Sequence, residues 1–166
     1  NLYHISTREP PDPGDPAAPR SPSAEPSNWT ITKIFSGPRP ITAAVGLSVD
    51  ALDDVWVYFG TGSYLTEADK TNADQQYIFG IRDPLFKQSP SALPLSIGNL
   101  FNSDAYTVYT NRNVDGGLAR IYDWYSLLNV VRNTEDQGAY PDYFDGWYRS
   151  LESTDPSERV ITKPAV

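Results

Sequence analysis

The sequence predicts a mainly β chain built from repeated four-stranded units, part of a β-propeller. Three observations carry that prediction. An Arg-x-Ile-Thr step occurs at Arg39-Pro40-Ile41-Thr42 and again at Arg159-Val160-Ile161-Thr162, each time followed by small residues and a valine. Residues 55–59 (VWVYF) run β-branched and aromatic without a break, as a strand buried on both faces does. The N-terminal pair LYHIST and WTITKIF repeats the last two steps of the unit that follows, QYIFGIR and GWYRSL. A unit that restarts is the mark of a repeat architecture, and four strands per unit fit propeller blades.

Residues 2–7 alternate, with Leu2, His4 and Ser6 on one face and Tyr3, Ile5 and Thr7 on the other, so they read as a strand. Residues 9–27 carry Pro10, Pro11, Pro13, Pro16, Pro19, Pro22 and Pro26 and no large apolar side chain. They predict an extended or disordered spacer; a proline-rich ligand for a partner is the functional alternative. Residues 29–36 and 41–49 read as strands, with a turn at 50–54. Gly60-Thr61-Gly62 ends the strand at 55–59, and 67–74 is a polar loop. Residues 76–82 form another strand, stopped by Asp83-Pro84.

From residue 86 the strand pattern fades, leaving an insertion at about 85–145. Within it, 106–110 reads as a short strand. At 123–132, Trp124, Leu127, Leu128 and Val131 fall at helical spacing behind Asp123, a natural N-cap. Residues 138–146 are rich in turn formers, and 146–151 and 160–166 close the chain as strands. The expected organisation is therefore a strand of a preceding blade (1–8), a Pro-rich linker (9–27) and the last strand of that blade (28–36). A complete blade with the insertion (39–151) and the first strand of the next blade (158–166) follow.

A net charge of −8 argues against nucleic acid as a partner, since phosphate recognition needs basic patches. Cysteine is absent, which removes disulfides and thiolate metal sites. No apolar run approaches the ~18–20 residues of a membrane span. No signal peptide is visible and the first residue is Asn, so the chain is expected to be mature, cleaved or a fragment.

RPITAAVGLSVD (39–50), VWVYFGTGSYL (55–65), QQYIFGIRDP (75–84), and GWYRSL (146–151) followed by ERVITKPAV (158–166) resemble the C-terminal β-propeller of the PilC/PilY family. These are tip-associated adhesin and assembly proteins of type IV pili. The resemblance covers about half of the chain, roughly residues 29–84 and 146–166. It implies a pilus-associated, extracellular protein of a Gram-negative bacterium, exported through the periplasm. It also implies pilus biogenesis and adhesion, with pilins or a host or abiotic surface as partners. Calcium is implied too, in an Asp-rich loop before a Gly-x-Leu-Tyr strand. Here that loop would lie upstream of Asn1, and no such Asp run occurs in the sequence, so no calcium ligand is carried over.

Candidate site residues each have a plainer reading. Gly60 and Gly62 could cradle a phosphate, but no helix or Lys follows, so a structural turn or close strand packing is expected. Asp50, Asp53 and Asp54 in one loop and Asp69, Asn72 and Asp74 in another are weak calcium candidates if the loops adjoin. Their plain reading is solvated turns. His4, the single histidine, and the pair Asp142 and Asp145 are poor catalytic groups, because no nucleophile elbow exists and acids are numerous. Tyr140, Tyr143, Phe144, Trp147 and Tyr148, with Trp124 and Tyr125, are the candidate partner-contact set. Their plain reading is packing of the insertion onto the blade. The Asn28-Trp29-Thr30 glycosylation triplet is set aside because the resemblance is bacterial.

The leading expectation is a non-enzymatic fragment of a pilus-associated adhesin or assembly protein, acting by contact, with no cofactor in this chain. One alternative is a structural subunit of an extracellular filament or complex, completed by strands from the remainder of the propeller or from neighbouring subunits. Another is a propeller enzyme of the quinone-dependent dehydrogenase type, which would need further blades and a cofactor channel.

Overall fold

A computed structural model describes residues 1–9, 13–15, 20–86, 92–119, 121–132, 144–152 and 158–163. Its strands are β1 (Leu2–Ser6), β2 (Thr30–Phe35), β3 (Gly46–Val49), β4 (Val55–Gly60) and β5 (Tyr77–Arg82). Short strands β6 (Phe101–Asn102), β7 (Thr107–Val108) and β8 (Val114–Asp115) follow. The helix α1 (Trp124–Arg132) and the strand β9 (Gly146–Ser150) complete the set.

The central sheet has the order β3-β4-β5-β9-β6. Its first four strands are antiparallel, the arrangement of a blade. The expected four-stranded unit gains a fifth strand because β6 pairs parallel to β9, with Phe101 opposite Trp147. β1 and β2 form a separate antiparallel pair. One face of the central sheet packs Val57, Phe59, Phe79 and Ile81 against Ile34 and Phe35 of β2 and against Leu95 and Leu100. The rings of Phe35, Phe59 and Phe79 lie 5.0–5.3 Å apart in pairs, a geometry that adds edge and offset stacking to area burial. The other face carries Trp147 and Phe101 into a second cluster with Tyr106, Val114, Ile121, Leu127, Val130 and Phe144. The blade is thus packed by the hairpin with Leu95 and Leu100 on one side and by later residues of the insertion on the other.

Two strand expectations change. The strand expected over 41–49 is confined to Gly46–Val49. Pro40 has no N–H to give a ladder, and Ile41 makes only an isolated parallel bridge to Gly62. The strand expected at 158–166 is absent over 158–163; there Val160 N–H donates to Thr61 O (3.0 Å) instead of joining a ladder. Residues 164–166 lie outside the described residues.

The spacer expected at 9–27 is docked at its end. Ser23 is buried, accepts Asn28 Nδ2 at 3.0 Å through its hydroxyl, and its carbonyl takes the Trp29 indole N–H at 2.9 Å. Trp29 itself is 41% exposed, and this bond fixes its ring against the end of the spacer.

Candidate functional site

Both copies of Arg-x-Ile-Thr converge on Gly60-Thr61-Gly62 and the loop that follows it. From the first copy, Pro40 O accepts Gly62 N–H (3.0 Å) and Thr42 Oγ1 donates to Gly62 O (2.7 Å). From the second, Val160 closes onto Thr61, whose side chain is fully buried. The glycines permit this approach. A Cβ on Gly60 would lie 2.2 Å from Val160 Cγ2, and one on Gly62 (φ +149°) would lie 2.6 Å from Arg159 Cβ.

The loop is organised around Asp69 and Arg159. A 3-10 turn spans Glu67–Thr71, and Asp69 Oδ2 accepts the N–H groups of Leu65 and Thr66 and the hydroxyls of Ser63 and Thr66. The backbone donors from Thr66 and Leu65, more than the hydroxyls, hold this carboxyl below its ordinary value. Arg159 donates to Ser63 O (2.9 Å), Asn72 O (2.8 Å) and Asp69 O, while Tyr64 lies beneath its guanidinium. Arg39 of the first copy pairs with Asp74 Oδ2 at 2.7 Å. Neither arginine was singled out as a site residue, although their repetition in the sequence was the available signal.

The six calcium candidates do not come together. Asp50, Asp53 and Asp54 form the turn before β4, and Asp69, Asn72 and Asp74 follow its far end. Six strand residues separate the two groups by about 20 Å. Asp50 is engaged by Leu52 N–H, Asp54 N–H and the Trp56 indole, and Asp53 sits at φ +60° in the turn. Asp54 is buried with Arg82 Nη1 4.0 Å away. Asn72 Oδ1 accepts Asp74 N–H. Among the described residues, no group of three or more His, Asp or Glu side chains is placed to hold a metal. These donors do not fit calcium, which takes roughly six to eight converging oxygens. Three carbonyls of the second loop are instead turned on the Arg159 cation.

The aromatic set divides. Trp147 and Tyr148 are neighbours on β9 and face opposite sides of the sheet. Trp147 lies flat over Gly80, where a Cβ would be 2.6 Å from its ring. Tyr148 packs against Tyr77 and Phe79, and burial, then Asp104 and Tyr77, push its hydroxyl up from the ordinary value. Phe144 packs edge-on to Phe101 at 5.5 Å. All three are half-buried and pack against the two core clusters.

Trp124 and Tyr125, on α1, are exposed, joined at the surface by Tyr109 and Tyr122, which the sequence pattern did not single out. Arg112 Nη1 donates to the Tyr125 hydroxyl at 3.3 Å. Tyr140, Tyr143 and Asp142 lie outside the described residues. Asp145 is buried at the start of β9. His4 Nδ1 is 2.8 Å from Asp83 Oδ2, which ties β1 to the end of β5.

No family model matches the sequence, and no curated protein matches it. Among solved structures, the crystal structure of the Pseudomonas aeruginosa PilY1 C-terminal domain is similar, with a TM-score of 0.51 at 23% identity. The match covers 82% of this chain and 30% of that one. Repeat, sheet order and comparison agree: over most of its length the chain has the mainly β fold of the PilY1 C-terminal domain, of which it spans about a third.

Proposed function

We propose that the chain is a structural part of a type IV pilus-associated protein, outside the cell, working by contact rather than catalysis. The observation that carries this reading is the fold likeness to a PilY1 domain over 82% of the chain. Two further features support it. The repeated Arg-x-Ile-Thr motif is used to lock one unit to the next, which is scaffold work. The single histidine is engaged with Asp83 between β1 and the blade, away from any nucleophile arrangement. The contact surface in this reading is the exposed aromatic group Trp124, Tyr125, Tyr122 and Tyr109 on the insertion, held out by a rigid sheet.

The test is deletion of this segment from its gene, with the level of the remaining protein checked by immunoblot. Fewer pili in the sheared surface fraction and reduced twitching are expected. Unchanged pilus number and motility, with the shortened protein stable, overturns the reading.

A further inference from the structure

The sequence holds two Asp-Gly steps, Asp115-Gly116 and Asp145-Gly146. Such a step carries its own reagents. The glycine nitrogen and the aspartate carboxyl carbon are one bond short of a five-membered ring, and glycine has no side chain to shield the nitrogen. The fold treats the two steps differently.

At Asp145-Gly146 the peptide unit is locked on both sides. Asp145 N–H donates to Asn99 O (3.0 Å), Asp145 O accepts Arg82 N–H (2.9 Å), and Gly146 is paired with Ile81 in the sheet. Gly146 lies so close to β5 that a Cβ there would be 2.2 Å from Gly80 O. Asp145 is 1% exposed, away from the water that ring closure releases and ring opening takes back. Asp115, by contrast, is the last residue of β8, and Gly116 lies beyond the strand. Gly116 N–H donates to the Asp115 carboxylate itself, 2.8 Å from Oδ1, so nucleophile and carboxyl are already in contact. Both residues are exposed to water.

We propose that Asp115-Gly116 is a self-modification site, at which the folded chain converts an α-aspartyl link into a β-aspartyl (isoaspartyl) one, while burial holds Asp145-Gly146 unreacted. Gly116 N bonds to Asp115 Cγ, the Cγ–OH bond breaks, and the hydroxyl leaves with the N–H proton as one water. Water then reopens the succinimide. Opening at the main-chain carbonyl carbon of Asp115 leaves the chain running through Cβ and Cγ, with the α-carboxyl free. One water leaves and one returns, so the mass is unchanged and nothing is oxidised or reduced. The added methylene falls between two fixed points. One is the pairing of Asp115 with Thr107. The other is the seat of Gly117 and Leu118 on Tyr106: a Cβ at Gly117 would be 2.2 Å from the Tyr106 ring, and Leu118 N–H donates to the Tyr106 hydroxyl at 3.1 Å. One of the two must loosen, and the contact surface that follows at Tyr122 and α1 is reset with it. The chemistry is independent of pilus association, so the two readings fail separately.

Incubation of the whole chain in native buffer and in guanidinium chloride, then digestion and electron-transfer fragmentation, reads the isoaspartyl fraction at each step. At Asp115 the native rate should lie within about threefold of the unfolded rate, whereas at Asp145 it should be at least about tenfold below it, because that step must first open locally. Asp115→Glu, which would need a six-membered ring, should lose the signal at this position while keeping the parent Tm. Aged native chains should exchange the Leu118 amide faster than fresh ones. Equal protection of the two steps in the native chain overturns the proposal, as does an isoaspartyl signal in this segment that survives Asp115→Glu.

Discussion

Gly60 and Gly62 set how closely two successive repeats approach. At Gly60 the neighbour is the branched Val160 side chain; at Gly62 it is Arg159 Cβ and the Val160 backbone, with φ at +149°. Gly60→Ala must push Val160 outward and should cost about 1–3 kcal/mol. Gly62→Ala adds backbone strain to the clash and should cost as much or more, about 2–4 kcal/mol. Urea unfolding of the two variants measures both. At Asp69 the prediction concerns pH. Its folded value lies below the ordinary aspartate value, so the carboxylate's contribution is fully present above that ordinary value and is lost as pH falls through the lower, folded one. Asp69→Asn should therefore flatten the acid side of a Tm-against-pH curve below about pH 4 while lowering Tm at pH 7, where the four donors lose a charged acceptor.

The helix α1 was legible because its chemistry is local. Asp123 Oδ1 accepts Ser126 N–H at 2.8 Å, as an N-cap should, and Val130 and Leu127 turn inward. The buried Ser126 hydroxyl completes the start: it accepts Tyr122 and Asp123 N–H and donates to Asp123 O. Ser126→Ala strands those donors and should cost about 1–3 kcal/mol, with loss of helical circular dichroism ahead of the sheet signal. Strands β4, β5 and β9 were legible for a similar reason, since runs such as VWVYF and YIFGIR are long and apolar enough to need two covered faces. The fifth strand was not legible. Phe101-Asn102 is two residues long, and only its distant partner Trp147-Tyr148 makes it a strand. The division of the aromatic set was hidden in the same way: proximity in sequence placed Trp147 and Tyr148 together, and the period of two placed them on opposite faces.

At the scale of the whole molecule, the repeated motif is used twice on one target, and the two uses differ in strength. Arg39 and Asp74 are both substantially exposed, at 35% and 48%, and meet as a single surface ion pair. Such pairs contribute roughly 0–1 kcal/mol because water and side-chain entropy offset the attraction. Arg159 is half-buried and holds three carbonyls of a loop that begins more than 85 residues earlier in sequence. Removing it leaves those carbonyls without a charged donor and frees Val160 to leave Thr61. Arg159→Ala should therefore cost about 2–4 kcal/mol, whereas Arg39→Ala should stay within about 1 kcal/mol. Added salt should narrow the small loss at Arg39 and leave the larger one nearly unchanged, since only the exposed pair is screened. Chemical denaturation of both variants in urea at low and high NaCl measures this. Equal losses for the two arginines would mean that the second copy of the motif does not hold the blade closed.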